Sequence, residues 1–296
     1  MILNDIMIRK MSDKLPSGVG INFRHEIMND LLLNLNSFDF IEIITNLFFV
    51  TNTIPDAMAN LLKIKPCVFH SLKTSLGSAE ALDESYIENT INCINKWKPY
   101  WFSDHLSYIK ISDIDANQLL PIRRNKKNLD LIVEKIKYIK RKTNLPFLIE
   151  NITYYFNMGD DEFTESEFIN NILNETSCGL LLDLNNLYLN SKNHNFDPYQ
   201  FLSEIDLSYV YEIHIAGGFL RDGLYIDSHA HSISQPVWEL LEFTCSEITP
   251  NGIVLERDAN FDMKDILFTL EKAKNILSSS PYYLDLNNNA SWECRI

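Results

Sequence analysis

Short apolar runs rich in β-branched and aromatic residues recur along the chain, at Gly18–Asn22, Phe38–Ile44, Cys67–His70, Trp101–His105, Pro146–Glu150, Gly179–Asp183, Val210–Ile215 and Gly252–Glu256. Between them lie stretches such as NLDLIVEKIKYIKRK and ESEFINNILNE, with apolar residues at i, i+3 and i+4. The first pattern predicts strands and the second amphipathic helices. Alternating strands and helices imply parallel strands joined by helical crossovers. Strands that are apolar almost throughout fit a sheet covered on both faces. Eight such units match a (β/α)8 barrel, which takes roughly 250 residues. The rival, a doubly wound sheet, lacks the glycine-rich phosphate loop expected after its first strand. With no internal repeat or low-complexity linker, residues 1–277 read as one catalytic domain. The tail from Ser278 to Ile296 reads as an appendage, either disordered or laid over the barrel.

In such a barrel the C-terminal ends of the strands converge on one mouth, where sites are built. The third predicted strand ends in His70, the fourth in Asp104-His105 and the fifth in Glu150-Asn151. The sixth ends in Asp183, followed by Asn185 and Asn186, and the seventh in His214. The next turn carries Asp227 and His229, within the stretch YEIHIAGGFLRDGLYIDSHAH, and the eighth strand ends in Glu256-Arg257-Asp258. Imidazole, carboxylate and amide are ligands for divalent transition metals of borderline hardness. The set exceeds what one ion uses, so two or three ions sharing a bridging carboxylate are expected. Without cations these carboxylates would repel one another, and several would have to take up protons. Three histidines stand apart. His194 is expected to be solvated in a loop, His25 lines either the pocket or the surface, and His231 either extends the site or points away.

Composition narrows the partners. A formal charge of −14 disfavours nucleic acid, because a duplex binder needs a basic surface. No run approaches the ~20 apolar residues of a membrane span, and the N-terminus lacks a signal-peptide pattern. Five scattered cysteines, an odd number without a CxxC pair, argue for reduced thiols in a cytoplasmic protein. Cys67 and Cys178, in or beside apolar strands, are expected in the core.

Taken in order, GVGINFRH, FHSLKTSLGS, SDHLSY, LLPI, LIEN, GLLLDLNNLY, EIHIAG, IDSH, PVWELL and LERD resemble the motifs of the multinuclear non-heme iron-dependent oxidative enzymes. That family includes the oxidase of methanobactin biosynthesis. The resemblance runs from about Gly18 to Asp258 and implies a TIM barrel of the xylose-isomerase-like kind. It further implies that His70 and His105 hold one iron, with Glu150 bridging to a second iron completed by Asp183, His214 and Glu256. Asn186, Asp227 and His229 would hold a third. The chain departs from the family pattern at Asn22, where arginine is usual, and at Thr45-Asn46, where Glu-Asn is common. Neither position is an implied ligand, so the departures bear on substrate contacts.

The implied activity is oxidation of a ribosomally made precursor peptide, most often at cysteine, with O2 as co-substrate. A mixed-valent Fe(II)/Fe(III) pair would bind the substrate thiolate and remove hydrogen from the carbon beside the sulfur. Many relatives use a separate protein that captures the leader peptide, and such a partner in trans is expected here. Two other readings stay open on the residues. One is a metal-dependent barrel of another chemistry, a divalent-metal isomerase or three-metal phosphodiesterase. The other is a non-catalytic metal-binding subunit of a peptide-modifying complex.

Overall fold

The computed structural model describes residues 18–49, 56–111 and 114–280. Twelve strands run through them: β1 (Gly18–Asn22), β2 (Phe40–Ile44), β3 (Cys67–His70), β4 (Phe102–His105), β5 (Tyr108–Ile111), β6 (Ile114–Leu120), β7 (Phe147–Glu150), β8 (Gly179–Asp183), β9 (Val210–Ile215), β10 (Phe219–Arg221), β11 (Leu224–Ile226) and β12 (Gly252–Leu255). Eight of them close a barrel in the order β1-β12-β9-β8-β7-β4-β3-β2, and every pairing is parallel. These are the eight strands predicted from the apolar pattern, with β2 starting at Phe40 rather than Phe38, β4 at Phe102 rather than Trp101 and β7 at Phe147 rather than Pro146. β12 ends at Leu255, yet the Glu256 amide still donates to the Ile215 carbonyl at 3.0 Å. The ladder therefore reaches the residue that carries the site. The remaining strands form two antiparallel hairpins, β5–β6 and β10–β11, which the apolar pattern does not announce.

The major crossover helices include α3 (Glu84–Trp97), α4 (Lys126–Lys142), α5 (Glu165–Thr176), α6 (Leu184–His194), α8 (Gln235–Glu247) and α9 (Met263–Ser278), while α1 (Met28–Leu33), α2 (Asp56–Ile64) and α7 (Pro198–Glu204) are shorter. Side-chain caps start the longer ones except α8. Asp83 accepts from the Tyr86 amide, Asn125 from the Asn128 amide, and Thr164 with Glu167 forms a reciprocal capping box. Such caps satisfy amides that have no partner within the helix.

The core has two parts. The larger lies between the strands and the helices. The smaller fills the lower barrel interior with Phe40, Val68, Trp101, Leu148, Leu181 and Val254. Phe40 needs glycine beside it, because a Cβ on Gly20 or Gly252 would lie 2.6 or 2.7 Å from its ring. The predicted core cysteines Cys67 and Cys178 are both buried. No helix among the described residues is long and apolar enough to cross a membrane. Most of the expected tail, residues 281–296, lies outside the described residues.

Candidate metal centre

One dyad step along each strand changes the chemistry of the barrel interior. Side chains two residues apart face the same side of a strand, so Phe40 is followed by Glu42, Val68 by His70 and Leu148 by Glu150. In the same way Leu181 leads to Asp183, Glu212 to His214 and Val254 to Glu256. An apolar plug is thereby topped by a layer of carboxylates and imidazoles, all buried.

Three donor groups form in and just below this layer, each with its ligand atoms within 4.8 Å of one another. In the first, Nε2 of His70 and of His105 lie 3.3 Å apart, at 3.5 and 3.3 Å from Glu150 Oε2. His70 is oriented from behind by Ser103 Oγ, 2.7 Å from its Nδ1. The second group comprises Glu150, Asp183, His214 and Glu256. His214 Nδ1 sits 3.4 Å from Glu150 Oε1 and 3.3 Å from Glu256 Oε2. Glu150 thus belongs to both groups, one oxygen turned to each. Asp183 ends β8 and caps α6, its Oδ1 accepting from the Asn186 amide at 2.7 Å. Only its Oδ2 is left for the cluster.

The third implied set is gathered less tightly. His229 Nε2 is 2.8 Å from Asp227 Oδ1, and its Nδ1 is 3.3 Å from Glu256 Oε2. The Asn186 amide turns elsewhere, accepting from Thr153 Oγ1 at 2.5 Å and donating to the Asn151 carbonyl at 3.1 Å. Its neighbour Asn185 is the amide that reaches Asp227, at 3.0 Å. His229 takes a left-handed backbone, φ 49°, which non-glycine residues rarely adopt away from constrained sites.

Burial and mutual charge set the protonation. Burial pulls the imidazoles down, but the carboxylates around them win. His105 is held up at about 9 by Glu150, Asp104 and Glu256. His214 rises well above the usual histidine range under Glu42, Glu256 and Glu150, and His229 under Glu256 and Asp227. Burial also opposes the fall of Glu150 and Glu256, both held below the ordinary carboxylate range by neighbouring histidines. Asp183 goes the other way, raised well above it by burial and then by Glu150. Several buried atoms have no hydrogen-bond partner: Asp183 Oδ2 and His214 Nδ1 in the central group, Glu150 Oε2 on the side of His70 and His105, and His105 Nδ1 and His229 Nε2 beside them.

The third donor group, Glu42, Glu212 and His214, lies deeper and includes two carboxylates that the strand-end argument passes over. Glu42 Oε2 is 3.0 Å from His214 Nε2, and Glu212 accepts from Trp101 Nε1 at 2.8 Å. Burial, then Glu42, pushes Glu212 up to about 8. Their signal was a glutamate inside an apolar strand, in FIEII and VYEIHI. Of the other histidines, His194 is not a solvated loop residue. It ends α6, stacks on Tyr154 with ring centroids 4.4 Å apart, and sits 2.9 Å from the Tyr154 carbonyl. His25 is exposed, and His231 turns to Ser228 and Phe219 rather than into the cluster.

Similarity to known proteins agrees with this architecture. A curated relative from Psychromonas ingrahamii, a UPF0276 protein, is 34% identical over 82% of this chain and 87% of its own length. Another from Caulobacter vibrioides is 29% identical over 80% and 85%. Among solved structures, a D-psicose 3-epimerase from Clostridium cellulolyticum superposes with a TM-score of 0.54 at 10% identity, covering 90% of this chain and 99% of that one. A putative xylose isomerase from Rhodospirillum rubrum gives 0.55 at 12% identity, covering 89% and 99%. Likeness at such identity shows the xylose-isomerase-like barrel and nothing further. Over residues 18–278 the chain matches the model of the RiPP precursor modification enzymes MbnB/TglH/ChrH, where RiPP denotes a ribosomally synthesised and post-translationally modified peptide; it belongs to that family.

Proposed function

We propose that this chain is an iron- and O2-dependent oxidase that modifies its precursor peptide at cysteine. The observation that carries the reading is a set of buried atoms without a hydrogen-bond partner, Asp183 Oδ2 and His214 Nδ1 in the central group and Glu150 Oε2 in the group of His70 and His105. Buried polar atoms are almost always paired. Three such atoms, divided between two donor groups that share Glu150, are what a pair of adjoining cation sites requires.

The residues fit iron, whose two oxidation states accept imidazole and carboxylate ligands. His70, His105 and Glu150 would hold one ion, and Glu150, Asp183, His214 and Glu256 the next. Asn186, Asp227 and His229 would hold a third, after a turn of the Asn186 amide. Mixed-valent Fe(II)/Fe(III) bound there supplies one-electron chemistry with O2 and a Lewis acid that favours the substrate's thiolate. The chain's own part is to shape access. Side-chain exposure rises from 0% at His214 to 11% at His105 and 23% at Asp227, so a peptide reaches the centre from the side of His105 and Asp227. Below, Phe40, Trp101 and their neighbours close the barrel to water. A leader-binding partner protein in trans belongs to the same proposal.

Family membership favours a peptide substrate over the sugar or nucleic-acid substrates of other metal-dependent barrels. The graded opening favours catalysis over a purely metal-holding subunit. The test is elemental analysis and Mössbauer spectroscopy of protein purified without air, followed by oxygen uptake with the cognate peptide and partner. More than one iron per chain, with O2 consumption matched to a change in peptide mass, supports the reading. Zinc or magnesium in these positions, with iron restoring no activity, overturns it.

A further inference from the structure

Glu42 is a buried carboxylate outside the implied ligand set, placed in the middle of β2 and 2% exposed. Its Oε2 reaches across the barrel interior to His214 Nε2, at 3.0 Å. A neutral imidazole has one N–H and one lone pair. A carboxylate at Nε2 fixes the proton there and leaves the lone pair on Nδ1. That nitrogen stands between Glu150 and Glu256, at 3.4 and 3.3 Å, without a hydrogen bond.

His70 is held in the opposite sense. Its Nδ1 meets Ser103 Oγ at 2.7 Å, and that hydroxyl donates onward to the Phe69 carbonyl at 3.4 Å. The hydroxyl therefore accepts from Nδ1–H, and His70 offers Nε2. The two histidines are thus presented through different nitrogens, one backed by a neutral hydroxyl and the other by a carboxylate. A carboxylate behind a ligating imidazole fixes its tautomer and raises its basicity. The remaining member of the deep group, Glu212, gives Oε2 to Trp101, whereas Glu42 is the carboxylate at hydrogen-bond distance from His214 Nε2.

We propose that Glu42 is a positioning residue that locks His214 with Nδ1 towards Glu150, Asp183 and Glu256 and, by its charge, makes this group the tightest ion site of the centre. The proposal rests on the metal-centre reading above. It predicts which atom binds and in which order the sites fill.

The test uses full-length protein stripped of metal and titrated with cobalt(II) and, separately, zinc(II). Visible absorption of the cobalt form follows coordination at each step. NMR of isotope-labelled histidine in the zinc form shows which nitrogen of His214 is ligated. The wild type is expected to bind through Nδ1, with Nε2 carrying the proton, in the first step. In Glu42→Gln the amide oxygen accepts the same N–H, so the Nδ1 assignment stays while the first step weakens about 10–100-fold. In Glu42→Leu that assignment is lost along with the tight step. Glu42→Gln, of the same shape, decides the matter should the leucine variant not fold. Wild-type affinity and unchanged spectra in Glu42→Gln overturn the role of Glu42 alone. A wild type that binds neither ion overturns the metal centre, and the role of Glu42 falls with it.

Discussion

Glu150 is the residue on which the centre turns, because its two oxygens face two different donor groups. Removing it should cost more metal than removing a ligand of one group. Glu150→Ala is expected to lose both adjoining ions, whereas His70→Ala loses one and leaves the Glu150–Asp183–His214–Glu256 group filled. Metal analysis of the two variants after equal iron loading checks this, and equal losses would remove Glu150 from the bridging role. His105 makes a second, pH-dependent prediction. Burial lowers its affinity for a proton, but Glu150, Asp104 and Glu256 outweigh burial and hold it at about 9, above the ordinary histidine range. A ligating imidazole is neutral, so an incoming ion must expel that proton. The share of metal affinity that depends on His105 therefore rises with pH up to about 9 and flattens above it, by about tenfold per unit for the proton displaced. Zinc(II) calorimetry at pH 7 in buffers of different ionisation enthalpy should show proton release that shrinks in His105→Gln. Release identical in the two proteins would mean that His105 is not a ligand.

At the scale of elements, the segment from Gly217 to His231 decides where Asp227 and His229 stand. β10 and β11 join through Asp222 and Gly223, both left-handed at φ 51° and 84°, the signature of a two-residue hairpin turn. A Cβ on Gly223 would meet nothing within 4 Å, so alanine there costs only backbone strain, about 1–2 kcal/mol. Gly217 is the opposite case. A Cβ there would lie 2.0 Å from the His231 carbonyl oxygen, and the segment carrying His229 would have to move. Gly217→Ala is expected to loosen metal bound by Asp227 and His229, while Gly223→Ala lowers the melting temperature slightly with metal content unchanged. Metal analysis beside thermal melts separates the two, and a Gly217→Ala protein with normal metal content would refute the close-approach argument. This segment also shows what was legible in the sequence. The barrel strands were, because burial on both faces leaves β-branched runs that no surface helix carries. His70, His105, Glu150, Asp183, His214 and Glu256 were legible for the same reason, as polar residues closing apolar runs. The β10–β11 hairpin was not, although Asp-Gly marked its turn, because its three-residue strands are too short to show a period. Glu42 and Glu212 were missed because their place depends on alternation across the barrel interior rather than on strand ends.

At the scale of the whole molecule, the closed barrel would keep the chain's own thiols apart from the substrate sulfur of the proposed reaction. An enzyme that oxidises cysteine in a substrate would be compromised by reactive thiols of its own. The fold places Cys67, Cys93, Cys178 and Cys245 in the layer between strands and helices, all buried. Burial pushes the Cys178 thiol up to about 11 and the Cys245 thiol up to about 12, and raises Cys93 in spite of nearby Lys96. Since the thiolate is the reactive form, burial keeps these three thiols in the less reactive protonated form at neutral pH. They become reactive only when water enters this layer, and in a closed barrel no single strand can leave without breaking ladders on both sides. Alkylation of these thiols should therefore report opening of the barrel as a whole. In a Cys294→Ser variant, iodoacetamide at pH 8 is expected to leave the native protein unlabelled by intact mass. Labelling should appear across a denaturant series together with the loss of far-UV circular dichroism, all four sites rising in one transition. If Cys245 on α8 is labelled well before the others, the α8 side of the barrel opens by itself, and the route to the metal centre would then include the helical layer as well as the mouth.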